Sequence, residues 1–212
     1  MLPPLTNNSH EVHGPLELEQ KHTPLYFVRQ FMQQPITTGA IAPSSRFVAR
    51  KIAGLIDFDK VQTVVELGPG TGVFTEQISA RLNARSTFFA IEINPSFVEA
   101  TRKRCPQEKV YHDSALNLPN YLVANNRSHA DCVVSSLPWT IFDPEQQEAL
   151  MDTIASSLRP GGMFVSIIYL GGNLRARGRY FIQNLPFHFN SVQRIGPVWN
   201  NTPPTLIYRC IK

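Results

Sequence analysis

Three glycines and an acid follow an apolar, β-branched stretch in the first half of the chain. Residues 61–72 read VQTVVELGPGTG, with Glu66 two positions before the first of the alternating glycines Gly68, Gly70 and Gly72. An amphipathic run comes next, so the pattern predicts a strand, a tight loop and a helix. Because glycine has no Cβ, a ligand can lie against backbone N–H groups at the positive end of that helix. We predict a ligand-binding loop; the alternative is a turn that only links strand to helix.

The spacing of these glycines argues against a dinucleotide. That fingerprint needs G-x-G-x-x-G, and the position three residues after Gly70 is Val73. Glu66 is instead placed to face the ammonium group of a zwitterionic ligand. The next strand-like run, residues 87–92, ends at Glu92, where a doubly wound sheet places the carboxylate that accepts from ribose hydroxyls. Two acids around a glycine loop fit S-adenosylmethionine as the ligand.

This arrangement resembles the class I S-adenosylmethionine-dependent methyltransferases. In that superfamily the acid after the third strand accepts a hydrogen bond from the adenine amino group, which implies this role for Asp113 and a place in the pocket wall for Ala115. Taken alone, Asp113 could equally cap the helix predicted after it, because Asp is a favoured cap. The predicted cofactor residues are Thr38, Gly39, Glu66, Gly68, Gly70, Gly72, Glu92, Ile93, Asp113, Ser114, Ala115 and Ser135.

The fourth predicted strand, residues 131–135, runs directly into the sequence SSLPW at residues 135–139. Open α/β sheets bind their ligands at the carboxyl ends of the strands, so we predict that this corner receives the substrate. The predicted catalytic residues are Ser136, Leu137, Pro138, Trp139 and Tyr169.

Four segments together narrow the resemblance to the bacterial phospholipid N-methyltransferases, relatives of the ribosomal RNA adenine dimethyltransferases. They are ELGPGTG, TGAIAPSS, SSLPW and, near the end of the chain, PPTLIYR. The resemblance implies an aminophospholipid substrate, such as phosphatidylethanolamine, that receives one to three methyl groups. It also implies a cytoplasmic enzyme held peripherally at an anionic membrane surface, the inner face of the membrane.

The chemistry implied by this resemblance is displacement of a sulfonium methyl group by a neutral amine, in which alignment supplies most of the acceleration. Tyr169 and His188 are candidate bases, although buried Tyr and His most often have structural roles, and a carbonyl that orients the free amine would also serve. Trp139 could hold a methylated ammonium by cation–π attraction. No base is assigned.

The sequence leaves other functions open. Adenine dimethyltransferases carry N-x-P-[FY] at the corner and append a helical domain for RNA; here Ser136 takes the Asn position, so we expect no nucleic-acid substrate. RNA adenine and a soluble amine metabolite remain alternative substrates. A non-catalytic S-adenosylmethionine-binding scaffold is the alternative from another functional class, because function resides in the site and not in the fold.

The remaining periodicity predicts a Rossmann-like, seven-stranded, mostly parallel sheet with helices on both faces and an antiparallel C-terminal hairpin. We predict helices at residues 46–56, 94–105, 144–158 and 174–184, and later strands at residues 163–170, 187–192 and 206–211. Residues 1–22 read as a polar, flexible tail and residues 23–212 as one methyltransferase domain. Its amphipathic helix at residues 24–34 would either pack on the sheet edge or bind a membrane surface.

Composition sets outer limits on the function. The chain has 212 residues, 42% of them hydrophobic, and a formal net charge of +4, a basic excess that suits nucleic acid or an anionic membrane. Apolar runs are too short to cross a bilayer. The three cysteines are far apart, which predicts a reducing environment with neither a disulfide framework nor a metal site.

Overall fold

One mixed sheet of seven strands organises residues 45–212, the part of the chain that the computed structural model describes. The strand order is β3-β2-β1-β4-β5-β7-β6. The strands are β1 (Thr63–Leu67), β2 (Thr87–Glu92), β3 (Lys109–His112), β4 (Ala130–Ser135), β5 (Leu158–Tyr169), β6 (Ser191–Val198) and β7 (Thr205–Ile211). Strands β1 to β5 pair in parallel, and β7 runs antiparallel to both β5 and β6. The predicted fold class is confirmed.

The described residues form six α-helices, and a side chain caps the start of the first, third and fifth of them. They are α1 (Arg46–Ala53), α2 (Val73–Ser79), α3 (Pro95–Arg104), α4 (Leu118–Ala124), α5 (Pro144–Ser157) and α6 (Ala176–His188). Ser45 accepts from the backbone of Val48 at the start of α1, and Asp143 forms a reciprocal capping box with Gln146 at the start of α5. Such caps satisfy N–H groups that the first turn of a helix leaves without partners.

Hydrophobic side chains form two core clusters, one on each face of the sheet. Strand β1 shows why: Val65 belongs to one cluster and Val64 to the other, because successive side chains of a strand point to opposite faces. Helices α4, α5 and α6 contribute Leu122, Met151 and Leu185 to the first cluster. Helices α1, α2 and α3 contribute Ile52, Phe74 and Val98 to the second. Both faces of the sheet are therefore covered, as its parallel strands require.

One predicted strand, at residues 187–192, is present but begins later than predicted, at Ser191. Helix α6 continues to His188, because Phe181, Leu185 and Phe189 recur at helical spacing and are all buried in the same cluster. The strand that follows is β6, which lies at the edge of the sheet. An edge strand tolerates Pro197, which has no N–H to donate.

Several predictions fall on residues 1–44 and lie outside the described residues. They are the polar tail, the amphipathic helix at residues 24–34, and the cofactor contacts Thr38 and Gly39. Within residues 45–212, no helix is both long enough and apolar enough to span a bilayer.

Candidate active site

The loop between β1 and α2 has the backbone conformation for which its glycines are needed. Gly68, Gly70 and Gly72 have φ angles of 70°, 58° and 77°, a region that side chains disfavour. A Cβ at Gly68 would lie 3.1 Å from Leu137 Cδ2, so the loop passes close to the end of β4. A Cβ at Gly70 would meet no described atom within 4 Å. Gly68 thus permits close packing, and Gly70 borders space that a ligand can fill.

Glu92, at the end of β2, is bound directly to this loop. Its carboxylate accepts from the backbone N–H of Gly70 at 3.1 Å and from that of Asn94 at 2.9 Å. Glu92 is only 5% exposed. Burial raises the pKa of Glu92 more than these hydrogen bonds lower it. Thr101 holds the other side of the loop by donating to the Gly70 carbonyl at 2.8 Å. Glu92 and Gly70, which the sequence predicts to share one cofactor site, are therefore adjacent.

Glu66 is a fully buried acid with one oxygen unused. Oε2 accepts from the Thr75 hydroxyl at 2.6 Å, whereas Oε1 is buried and has no hydrogen-bond partner among residues 45–212. Burial raises the pKa of Glu66 to about 8, and the nearby charge of Glu92 adds to the increase. A buried acceptor without a donor is uncommon. A hydrogen bond from an ammonium group would satisfy Oε1 and favour the charged carboxylate. A zwitterionic ligand carries such an ammonium group.

Asp113 already binds several groups of the chain itself. Its carboxylate accepts from the Ser114 backbone at 2.7 Å, the Asn117 amide at 3.0 Å and the Tyr121 hydroxyl at 2.8 Å. Burial alone would raise the pKa of Asp113, but the hydrogen bonds from Tyr121, Ser114 and Asn117 together lower it. The residue therefore anchors the turn after β3, with Ser114 capping the short 3₁₀ helix Ala115–Asn117. Its contact with adenine stays a prediction.

The corner after β4 lies against the glycine loop. Strands β1 and β4 pair so that Leu67 is opposite Ser135, and the Ser136 N–H donates to the Leu67 carbonyl at 2.9 Å. The Leu137 N–H in turn donates to the Ser135 hydroxyl at 3.3 Å. Ser135 is buried, whereas Ser136, Leu137 and Pro138 are half-buried. The structure thus brings the predicted substrate corner next to Gly68.

Trp139 differs from the rest of this corner. It is only 1% exposed, and its ring stacks on Phe181 with centroids 4.5 Å apart. Phe142 and Phe164 contact the same ring edge-on, at 6.1 and 6.3 Å. These partners make Trp139 part of the core. The indole has no exposed face on which a methylated ammonium could bind in this structure, so the cation–π role of Trp139 stays a prediction that this packing does not support.

Gln147 supports the corner, and sequence reasoning missed it. Its side-chain amide lies 2.6 Å from the Trp139 carbonyl and 3.1 Å from the carbonyls of both Phe142 and Arg177. Gln147 is 1% exposed, so these contacts are buried. A single Gln between Gln146 and Glu148 on a helix reads as part of a solvent-exposed face. No signal in the sequence marks it as the residue that joins α5, α6 and the corner.

The two candidate bases lie in different surroundings. Tyr169 is half-buried at the carboxyl end of β5, opposite Thr205 of β7. His188 contacts Glu148 and Asp152 of α5. Ile93, another predicted cofactor contact, follows Glu92 directly, and its carbonyl lies 3.1 Å from the His112 ring. The structure supplies the positions of these residues, and their catalytic or binding roles stay predictions.

Comparison with known proteins agrees with this geometry. Residues 64–162 match the family described as "Methyltransferase domain". The chain is 28% identical over 187 residues to the ornithine lipid N-methyltransferase of Singulisphaera acidiphila, covering 87% of this chain and 93% of that protein. It is 30% identical over 141 residues to ribosomal RNA small subunit methyltransferase A of Shouchella clausii, covering 57% of this chain and 47% of that protein.

A solved structure shares the fold at low sequence identity. The O-methyltransferase of Bacillus cereus in complex with SAH superposes with a TM-score of 0.61 at 11% identity, covering 96% of this chain and 94% of that one. The site fits S-adenosylmethionine: among residues 45–212, no donor reaches the buried Oε1 of Glu66, and no atom would lie within 4 Å of a Cβ at Gly70. S-adenosylmethionine is the cofactor of this domain.

Proposed function

We propose that this chain, an S-adenosylmethionine-dependent methyltransferase, methylates the primary amine of an aminolipid headgroup. Phosphatidylethanolamine and an ornithine-containing lipid are the candidate substrates. One observation carries the proposal of a substrate site: the corner formed by Ser136, Leu137 and Pro138 packs directly against Gly68 of the cofactor loop. The similarity to an ornithine lipid N-methyltransferase along most of both chains supports a lipid amine as the substrate.

Three acids would hold the cofactor. Oε1 of Glu66 would accept from its ammonium group, and the lone pairs that Glu92 does not use for backbone N–H groups would accept from ribose hydroxyls. Each oxygen of Asp113 already accepts two hydrogen bonds within the chain, so a hydrogen bond from the adenine amino group would have to replace one of them. When bound, S-adenosylmethionine supplies a methyl group on a positively charged sulfur. The sulfur is the leaving group: it keeps the electrons of the broken C–S bond and becomes a neutral thioether.

The corner would orient the amine with backbone carbonyls. Residues 135–139 contain no titratable side chain, so this segment can accept hydrogen bonds from an amine without competing for its proton. The amine attacks in its neutral form, a C–N bond forms, and the methylated ammonium then releases a proton to water. Positioning of this kind is sufficient for large rate effects in well-aligned reactions.

Vesicles of defined composition test the substrate. Purified full-length chain is incubated with S-adenosylmethionine labelled in its methyl group and with phosphatidylethanolamine, ornithine lipid or phosphatidylcholine vesicles. We expect label in the first or second lipid, and none in phosphatidylcholine, whose nitrogen is already quaternary. Thin-layer separation then shows how many methyl groups are added.

A second candidate, methylation of RNA adenine, is favoured by the similarity to ribosomal RNA methyltransferase A. Protein-free ribosomal RNA therefore forms another arm of the same experiment. Label in RNA with none in either aminolipid would overturn the lipid proposal. The corner disfavours this outcome, because Ser136 offers a hydroxyl where adenine dimethyltransferases use an amide.

We further propose that the chain docks peripherally on the anionic inner face of the cytoplasmic membrane. Helix α1 exposes Arg46, Arg50 and Lys51, and Phe47 on the same helix is 56% exposed. Each cation near such a surface contributes about 1 kcal/mol, which salt screens. Flotation with anionic vesicles should therefore decrease as salt increases, and flotation that neutral vesicles match at low salt would contradict the proposal.

A further inference from the structure

Two acids of α5 meet the last residue of α6 on the surface of the domain. Glu148 and Asp152 are one helical turn apart, and His188 approaches both of them. One ligand atom from each of the three side chains can be chosen so that all lie within 4.8 Å of one another. Because α5 and α6 are far apart in the sequence, the fold alone assembles this group.

The imidazole of His188 lacks the partners that its burial calls for. Its side chain is 10% exposed, and Nε2 is buried without a hydrogen bond to any of residues 45–212. Glu148 Oε1 lies 3.7 Å from Nε2, which is too long for a hydrogen bond, and Asp152 Oδ1 lies 3.5 Å from Nδ1. Buried ring nitrogens normally have a partner. Nε2 of His188 is therefore a buried ring nitrogen beside the two carboxylates that forms no hydrogen bond with residues 45–212.

We propose that Glu148, Asp152 and His188 form a binding site for a divalent first-row metal ion, with Zn²⁺ the best match. Imidazole nitrogen and carboxylate oxygen are common zinc ligands, and three protein ligands leave a fourth position for water. Ligand distances of about 2.0 to 2.2 Å would bring the donor atoms to within roughly 3.5 Å of one another. One ion would use a single ring nitrogen, so with Nε2 as the ligand the Asp152 carboxylate would have to turn from Nδ1 toward Glu148. The two carboxylate side chains are 49% and 70% exposed, which leaves them room to move.

A metal ion here would fasten α6 to α5 behind the substrate corner. Glu148 follows Gln147, whose amide holds the carbonyls of Trp139 and Arg177. Arg177 belongs to α6, so the same two helices carry both the cluster and the support of the corner. The ion would thus have a structural role outside the methyl-transfer reaction. From the sequence we predict no metal site, because the cysteines are far apart. The spacing of cysteines has no bearing on a site built from carboxylates and imidazole.

Cobalt spectroscopy of the full chain tests this proposal. The protein is stripped with a chelator and titrated with Co²⁺, whose visible absorption reports its ligands, and Zn²⁺ is then added to displace it. The variants are Glu148→Gln and Asp152→Asn, on exposed side chains, and His188→Gln. The matched control is His129→Gln, which removes an exposed histidine outside the cluster. We expect the wild type and the control to share one absorption band that each cluster variant loses or that requires at least about tenfold more Co²⁺.

Comparison among the variants separates metal binding by the cluster from metal binding by other histidines. His10, His13 and His22 are present in every variant, so any ion that they bind contributes equally to all titrations. Zn²⁺ should also raise the thermal unfolding midpoint of the wild type and of His129→Gln but not that of Asp152→Asn. Equal Co²⁺ affinity and equal Zn²⁺ stabilisation in all four variants would overturn the proposal. The cluster would then be only a contact between His188 and the two acids.

Discussion

The two halves of the active site use different chemistry. The cofactor half contains three carboxylates, Glu66, Glu92 and Asp113, each fixed by at least one hydrogen bond from the chain. The substrate half, residues 135–139, contains no titratable side chain and presents backbone groups beside Gly68. We infer that the domain recognises its cofactor by charge and orients the amine by position. An enzyme built this way needs an amine that reaches the corner in its neutral form.

The contact between the two halves is the place where a single change should have the largest effect. Gly68→Val adds a β-branched side chain at φ 70°, where its Cβ would lie 3.1 Å from Leu137 Cδ2. The Leu137 side chain must therefore give way by a few tenths of an ångström, and the two γ-carbons of valine add further crowding between the loop and the corner. Misplacement by about 1 Å can reduce a rate by about 10²-fold, so we expect at least that loss in methyl transfer to aminolipid vesicles.

Gly161→Val is the matched control for this change. Gly161 also has a φ of 70°, and among the described residues its Cβ would meet only the side chain of Arg159, at 3.6 Å. Both variants carry the same backbone strain, but only Gly68→Val disturbs the site. Equal activity of the two variants would show that the contact between loop and corner is unimportant for transfer.

Glu66, in the cofactor half, should make the stability of the domain depend on pH. Glu66 has a pKa of about 8 in the folded chain, against an ordinary value of 4.5, so between these limits the folded state holds a proton that the unfolded state has released. Stability therefore falls as pH rises through this window, by on the order of 1 kcal/mol per pH unit. Glu66→Gln keeps the hydrogen-bonding shape and should abolish this part of the slope.

Urea unfolding of both proteins at pH 5.5 and 8.5 measures the difference. Groups that do not interact with Glu66 titrate equally in the two proteins, so the wild-type slope minus that of Glu66→Gln measures Glu66 together with its coupling to Glu92. S-adenosylmethionine should reduce the wild-type slope, because an ammonium group near Oε1 favours the charged carboxylate. Parallel stability curves for wild type and variant would mean that Glu66 is ionised in the folded state throughout this range.

The two halves also differ in how far the sequence could predict them. The proximity of Gly70 and Glu92 follows from neighbouring parallel strands, whose carboxyl ends meet at one edge, and the structure confirms this proximity. The burial of Trp139 depends on Phe181 of α6, a helix whose end was wrongly predicted as a strand. Gln147 could not be found, because a buried amide and an exposed one look alike in a helical pattern. Local spacing encodes the cofactor half, whereas long-range packing decides the substrate half.

The smallest effect on methyl transfer is expected at Trp139, which packs in the core. Trp139→Phe keeps an aromatic ring to stack on Phe181 and removes the buried indole Nε1, which has no hydrogen-bond partner among residues 45–212. The smaller ring leaves a partial cavity, so we expect a loss of about 1 to 3 kcal/mol in the free energy of unfolding. The ratio of mono-, di- and trimethylated lipid should not change, because the buried ring does not contact the growing cation.

Thin-layer separation of labelled products from wild type and Trp139→Phe, at a temperature where both are folded, measures that ratio. Phe181→Leu is the matched control, since it alters the same stack from the other side without touching the corner segment. If Trp139→Phe alone accumulates monomethylated lipid, the ring must become accessible during the reaction. The corner would then bind its product by cation–π attraction as well as by position.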